Sequence, residues 1–151
     1  MFERRNAVRM LAALCFAAAV TATSAFAELA DPGGAWKTRT EVVWSSDTRS
    51  LIRKEFRVWD AHPELELDFL WEPRAPVRSD GSALANGAGT LSWRTKGAPD
   101  YDRQFIHSVF KGTLKDGRPE GAGALLVFRT GYSYTGNWHD GLMHGLSLIH
   151  I

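Results

Sequence analysis

Two stretches of the chain read alike at a fixed offset of 24 residues. Phe110, Gly112, Leu114, Asp116, Gly117 and Gly121 in the first answer to Tyr134, Gly136, Trp138, Asp140, Gly141 and Gly145 in the second. A period of about 20 to 50 residues marks one supersecondary unit stacked on copies of itself. A unit of that size cannot bury its own apolar face. It builds extended surfaces more readily than enclosed catalytic pockets, which points to a structural or binding role.

The chemistry inside each unit predicts its shape. Asp116-Gly117 and Asp140-Gly141 each sit between strand-like runs. Asp-Gly is favoured in two-residue type I′ turns, where both residues need φ > 0. Each unit is therefore expected to be an out-strand, a tight turn and a return strand, and each such hairpin lengthens a sheet by roughly 10 Å. Gly121 and Gly123 are expected where a backbone or ring presses close. Upstream, Gly87, Ala88, Gly89, Leu91 and Gly97 align with Gly121, Ala122, Gly123, Leu125 and Gly131, half of a third unit. The stretch around Ala98–Gln104 interrupts the period and belongs on a loop. The predicted class is all-β, with stacked antiparallel hairpins.

The segment before the repeats is also β-rich. Trp36 to Trp44 and Glu55 to Trp59 read as strands around the polar turn Ser45–Ser50. Leu51, Lys54, Glu55 and Val58 also fall at helical spacing, so a short helix over Leu51–Trp59 is an alternative. Leu65, Leu67, Phe69 and Trp71 alternate with other residues as a half-buried strand does, which would put Glu64, Glu66 and Asp68 on one solvated face. Pro73 and Pro76 end that strand or place it at an edge.

The ends carry separate signals. Arg4, Arg5 and Arg9 precede an apolar run from Met10 to Val20, and Ala25-Phe26-Ala27 has the small-x-small pattern of a cleavage site. The run has 11 residues, short of the roughly 20 that span a bilayer. A signal peptide over 1–27 and export to the periplasm or medium are expected. Cys15, the one cysteine, lies within it, so the mature chain has neither a disulfide nor a thiol nucleophile. The leader holds 3 of 18 basic and 1 of 17 acidic residues, which leaves 15 against 16, a net charge of −1. That balance argues against nucleic-acid binding and predicts feeble attraction to anionic lipid except through a local patch. At the other end, residues 146–151 match what the codons CTG TCT CTT ATA CAC ATC encode, which resembles the end of a sequencing-library adapter. On that reading the tail is foreign and the gene continues past Gly145. The alternative is a natural apolar terminal strand.

The pattern Tyr134-x-Gly136-x-Trp138-x-x-Gly141-x-x-His144-Gly145 resembles the MORN repeat. Phe110-x-Gly112-x-Leu114-x-x-Gly117-x-x-Glu120-Gly121-x-Gly123 resembles a second copy, with Leu114 and Glu120 in the Trp and His positions. The resemblance implies an elongated sheet of stacked hairpins over 81–147, after a β-rich segment 28–80. It also implies a scaffold or interaction role with another protein or an envelope component. Phe110, Leu114, Tyr134 and Trp138 are the candidate interaction face, gripping a peptide, a glycan or another such strip. The alternative is that they are the core of a thin sheet, the commoner use of aromatics in small β domains.

No catalytic residue is expected. The chain lacks a Gly-x-Ser-x-Gly elbow or other nucleophile motif. His107, His139, His144 and Asp140 lack the spacing of a zinc site, and no metal or cofactor is expected. The expected function is an exported, non-enzymatic interaction module of the cell envelope. A glycan- or lipid-binding module is the second reading. The N-terminal part of a larger enzyme is the third.

Overall fold

The computed structural model describes residues 33–150, with side chains through residue 144. The leader expected over 1–27 lies outside the described residues, as do the side chains of the 146–151 tail. Eight strands follow one another: β1 (Ala35–Ser45), β2 (Ser50–Asp60), β3 (Leu67–Pro73), β4 (Gly87–Thr95), β5 (Ile106–Lys115), β6 (Arg118–Val127), β7 (Tyr132–His139) and β8 (Leu142–His150). Strands β3 to β8 form one antiparallel meander in chain order, and β1 pairs with β2 as a separate hairpin. The all-β hairpin architecture is as the sequence predicts. The meander begins at Leu67, so its first strand lies ahead of the repeats and residue 80 falls inside a connection within the sheet.

Leu51–Trp59 is strand, not helix. Ile52, Lys54, Phe56, Val58 and Asp60 turn inward and Leu51, Arg53, Glu55 and Arg57 outward, a period of two. Of the four residues at helical spacing, Lys54 and Val58 turn inward and Leu51 and Glu55 outward, so they share no face, and two of the inward positions of β2 are ionic. Lys54 is buried by donating to the carbonyls of Arg78 (2.8 Å) and Gly81 (3.0 Å). Asp60 pairs with Lys37 at 3.2 Å. The expected acidic strand face also dissolves. Glu64 lies in a 3-10 turn, Glu66 is left-handed at φ 50°, and only Asp68 is in β3.

The hairpin meets the meander along the free edge of β3 without joining its ladder. The inward side chains of β1 satisfy that edge instead. Lys37 donates to Leu67 O, Arg39 to Phe69 O (3.1 Å), and Glu41 accepts from the Trp71 N–H (2.9 Å). An unpaired edge invites strand addition, and these side chains block it. Farther along, Trp59 donates to Gly117 O and Ala85 to Arg57 O, which ties β2 to the β5–β6 turn through the 83–85 segment. Phe56, Val58 and Val43 thereby join Phe69, Trp71, Leu91, Phe110 and Leu114 in a single core.

Candidate functional site

Antiparallel register sets the inner face of the meander row by row. Trp71, Leu91, Phe110, Leu125 and Tyr134 stand opposite one another on successive strands. The next row is almost bare: Pro73, Gly89, Gly112, Gly123 and Gly136. The rings of the first row lie down over the glycines of the second. A Cβ on Gly123 would sit 2.5 Å from the Phe110 ring, and one on Gly89 would sit 2.7 Å from Trp71. Trp138 closes the stack with edge contacts to Phe110 and Tyr134, both at 5.2 Å, and its indole N–H donates to Gly123 O (3.3 Å).

This packing corrects the expected interaction face. Phe110, Leu114, Tyr134 and Trp138 are 2%, 1%, 2% and 7% exposed, so all four are core. Leu114 and Tyr134 are closed off, and Phe110 and Trp138 show only a sliver of surface, at the base of an open groove over β4 to β8. Even the Tyr134 hydroxyl is used internally, donating to Asn137 O at 2.8 Å. The glycine roles also separate. Gly123 is needed for close approach, as expected. Gly121 has nothing near its missing Cβ and is instead left-handed (φ 75°), at a break in the β5–β6 pairing. Gly145 stands at the corresponding break between β7 and β8.

The tight turns have positive φ at both central residues, 50° and 78° at Asp116-Gly117 and 49° and 81° at Asp140-Gly141, as type I′ requires. Each turn docks on an earlier part of the chain, the connection ahead of β4 for the first and the start of β6 for the second, through the same two kinds of bond. Gly117 N–H donates to Ala85 O and Asp116 N–H to the Asn86 side chain. One unit on, Gly141 N–H donates to Pro119 O and Asp140 N–H to the Glu120 carboxylate (both 2.9 Å). That bond and the neighbouring His139 ring, 3.1 Å away, hold the Glu120 carboxyl below its ordinary range. Glu120 and Asp140 in turn raise the His139 imidazole. His139 is thus a turn residue. Among the described residues no group of three or more His, Asp, Glu or Cys side chains is placed to hold a metal ion.

With the repeat rings mostly inside, the open part of the inner face is built mainly by other residues, Phe110 and Trp138 contributing only at its base. A groove of about 830 Å³ runs over β4 to β8, floored by Trp93, Leu125 and Val127 and walled by Trp59 and Leu65 on one side and Tyr132, Leu142 and Met143 on the other. Phe69 supports Trp93 edge-on at 6.0 Å. Polar groups gather on the rim: His62 pairs with Glu64 at 3.0 Å, and His107 and Ser108 lie along β5. The sequence reading passed over this set because it followed the repeat. Tyr132 and Trp93 each lie two residues from a buried core residue, Tyr134 and Leu91, and that alternation is the signal in the sequence.

A MORN repeat is found at residues 134–146, where the family's model matches the chain. That stretch covers the outgoing strand β7, the Asp140-Gly141 turn and the start of β8. No curated protein and no solved structure matches the chain. A repeat of this kind suggests a repeat-based interaction module.

Proposed function

We propose that the chain is an exported, non-enzymatic protein-interaction module of the cell envelope, and that its groove takes an extended apolar segment of a partner protein. The observation that carries the reading is the open groove itself. An apolar trough rimmed by polar side chains is how a sheet face presents alternate side-chain pockets to a bound peptide. The rings packed over glycines beneath Trp93, Leu125 and Val127 keep the groove floor rigid, and the Arg-flanked apolar run with Ala25-Phe26-Ala27 supports export.

Selection of a displayed peptide library on the immobilised mature chain tests the groove. Peptides with apolar residues at alternate positions should be enriched, and Met143→Asp or Tyr132→Ala should weaken them about tenfold, the worth of one good apolar contact. No enrichment, or binding indifferent to both substitutions, refutes the reading. Export is tested by the intact mass of protein recovered from the periplasm. The chain should begin at Glu28, whereas a full-length species kept in the membrane fraction counts against export.

A further inference from the structure

We propose that the tip of the β1–β2 hairpin is an anchor for anionic lipid surfaces. It lies outside the repeats, does not rest on the groove, and would stand if the groove reading failed.

Polarity is inverted at this tip. The inner side carries the ionic residues Glu41 and Lys54, both buried, while Val42, Trp44 and Leu51 on the outer side are 61%, 51% and 66% exposed. Trp44 stands directly opposite Leu51, and Val42 lies on the next outward rung opposite Arg53. Together they make a continuous apolar cap, and no described residue covers it.

The tip is also braced. Val77 N–H donates to Trp44 O (3.0 Å), and Ser46 N–H donates to Val77 O (2.9 Å). The Asp47 carboxylate accepts from the hydroxyls of Ser45 and Ser79 and from the Ser79 N–H (3.0 Å). A braced tip can enter an interface without first losing much conformational freedom.

Cations ring the cap. Arg49 follows in the turn, Arg53 faces Val42, and Arg74 shares with Val42 and Trp44 the rim of the hollow between β1 and β3. Among the described residues none of the three has a side-chain hydrogen bond or ion pair. The nearest carboxylates are Asp47, already engaged, Glu55, one rung farther from the tip, and Glu72 and Asp100 along the hollow.

A tryptophan and aliphatics at the end of a protrusion, with arginines beside them, match the layering of a bilayer surface. The apolar groups enter the headgroup–acyl boundary and the guanidinium groups meet phosphates. An acidic peptide lying in the hollow between β1 and β3 could reach Val42, Trp44 and Arg74 but would leave Arg49, Leu51 and Arg53, none of which lines that hollow, uncovered. The net charge of the mature chain supplies no general attraction, so binding must be local.

The test is co-sedimentation of the mature chain with vesicles of about 30% phosphatidylglycerol in phosphatidylcholine, against phosphatidylcholine alone, at low and high salt. The expected result is binding to the anionic vesicles that weakens with salt. Trp44→Ser with Leu51→Ser, and separately Arg49→Glu with Arg53→Glu, should each lower partitioning by about tenfold or more. Lys111→Glu with Lys115→Glu, in the repeats, should change it little. Lipids brominated near the headgroup should quench tryptophan emission in the parent and distinctly less in Trp44→Phe. If the serine pair fails to fold, the arginine pair, fully on the surface, carries the test. No vesicle binding, binding unchanged by the arginine pair, loss confined to the Lys111 and Lys115 pair, or capture of polyglutamate without vesicles overturns the proposal.

Discussion

Glu41 should make this protein lose stability as the solution is brought from mildly acidic to mildly alkaline. Its carboxyl is 9% exposed, accepts from the Trp71 N–H at 2.9 Å, and has Arg39 Nε at 3.7 Å. Burial outweighs those two favourable contacts and pushes its pKa from 4.5 up to about 7. An acid whose pKa is raised by folding binds more protons folded than unfolded between those values. Stability from this group is therefore full below about pH 4.5 and is lost as pH rises through about 7. At about 1.4 kcal/mol for each pH unit, the loss between pH 5 and pH 8 is on the order of 2 to 3 kcal/mol.

Glu41→Gln isolates that effect. The amide oxygen can still accept from Trp71, but nothing titrates. Urea unfolding followed by tryptophan emission at pH 5, 6, 7 and 8 should show the parent losing on the order of 2 to 3 kcal/mol and the variant losing much less. The two should lie within about 1 kcal/mol of each other at pH 5 and diverge as pH rises, the variant being the more stable. His139 adds a slope of the same sign. Its imidazole is raised by Glu120, so its contribution is also present below its unfolded pKa and lost as pH rises through the folded one. Adding His139→Gln should flatten what remains. A parent whose stability rises from pH 5 to pH 8, or a Glu41→Gln variant with the parent's slope, refutes the account.

Two further substitutions probe the repeat. Gly123→Ala puts a methyl 2.5 Å from the Phe110 ring and should cost about 1–3 kcal/mol in urea unfolding. Phe110→Leu in the same chain should cost less than the sum of the two single changes, and full additivity would remove the ring-over-glycine packing from the account. A Cβ at Gly141 would meet nothing closer than Pro119 Cδ at 3.7 Å, so the cost of about 1–3 kcal/mol for Gly141→Val should come chiefly from the left-handed backbone. Gly141→Asn, which tolerates that backbone, should recover most of it; equal costs for Val and Asn argue against the type I′ turn.

The residues that repeat were legible because their roles repeat. Asp-Gly demands a two-residue turn wherever it sits between strands, and alternating aromatic and glycine positions demand rings lying over bare backbone. The docking of turns was not legible, because it is conserved in chemistry and not in letters: Asn86 and Glu120 share only an acceptor in reach of the next Asp N–H. The hairpin before the repeats was half legible. Its strands follow from Trp, Val and Thr content, but Lys37, Arg39, Glu41 and Lys54 turn inward, where a period-two reading looks for apolar side chains. Lys54 does so because the carbonyls of Arg78 and Gly81 lie over β2, and the three on β1 because the edge of β3 has backbone groups to satisfy. That need exists only once the two sheets are side by side, and a linear reading cannot see it.

The same division bears on where specificity can reside. A repeat that packs Phe110, Tyr134 and Trp138 over glycines has spent its large side chains on its own interior. What it leaves is a stiff sheet with an apolar face longer than the hairpin can cover. Recognition then falls to residues with no counterpart one period away. Trp93 corresponds to Val127 in the next unit, and Val127 is in turn paired with Tyr132, so the groove floor changes from strand to strand although the frame does not. Substituting a frame residue should therefore cost stability across the whole module, whereas substituting a groove residue should change what binds and leave unfolding nearly untouched. The repeat is the means by which this chain holds a surface still, and under the proposed function its selectivity would lie in the positions where the period is broken.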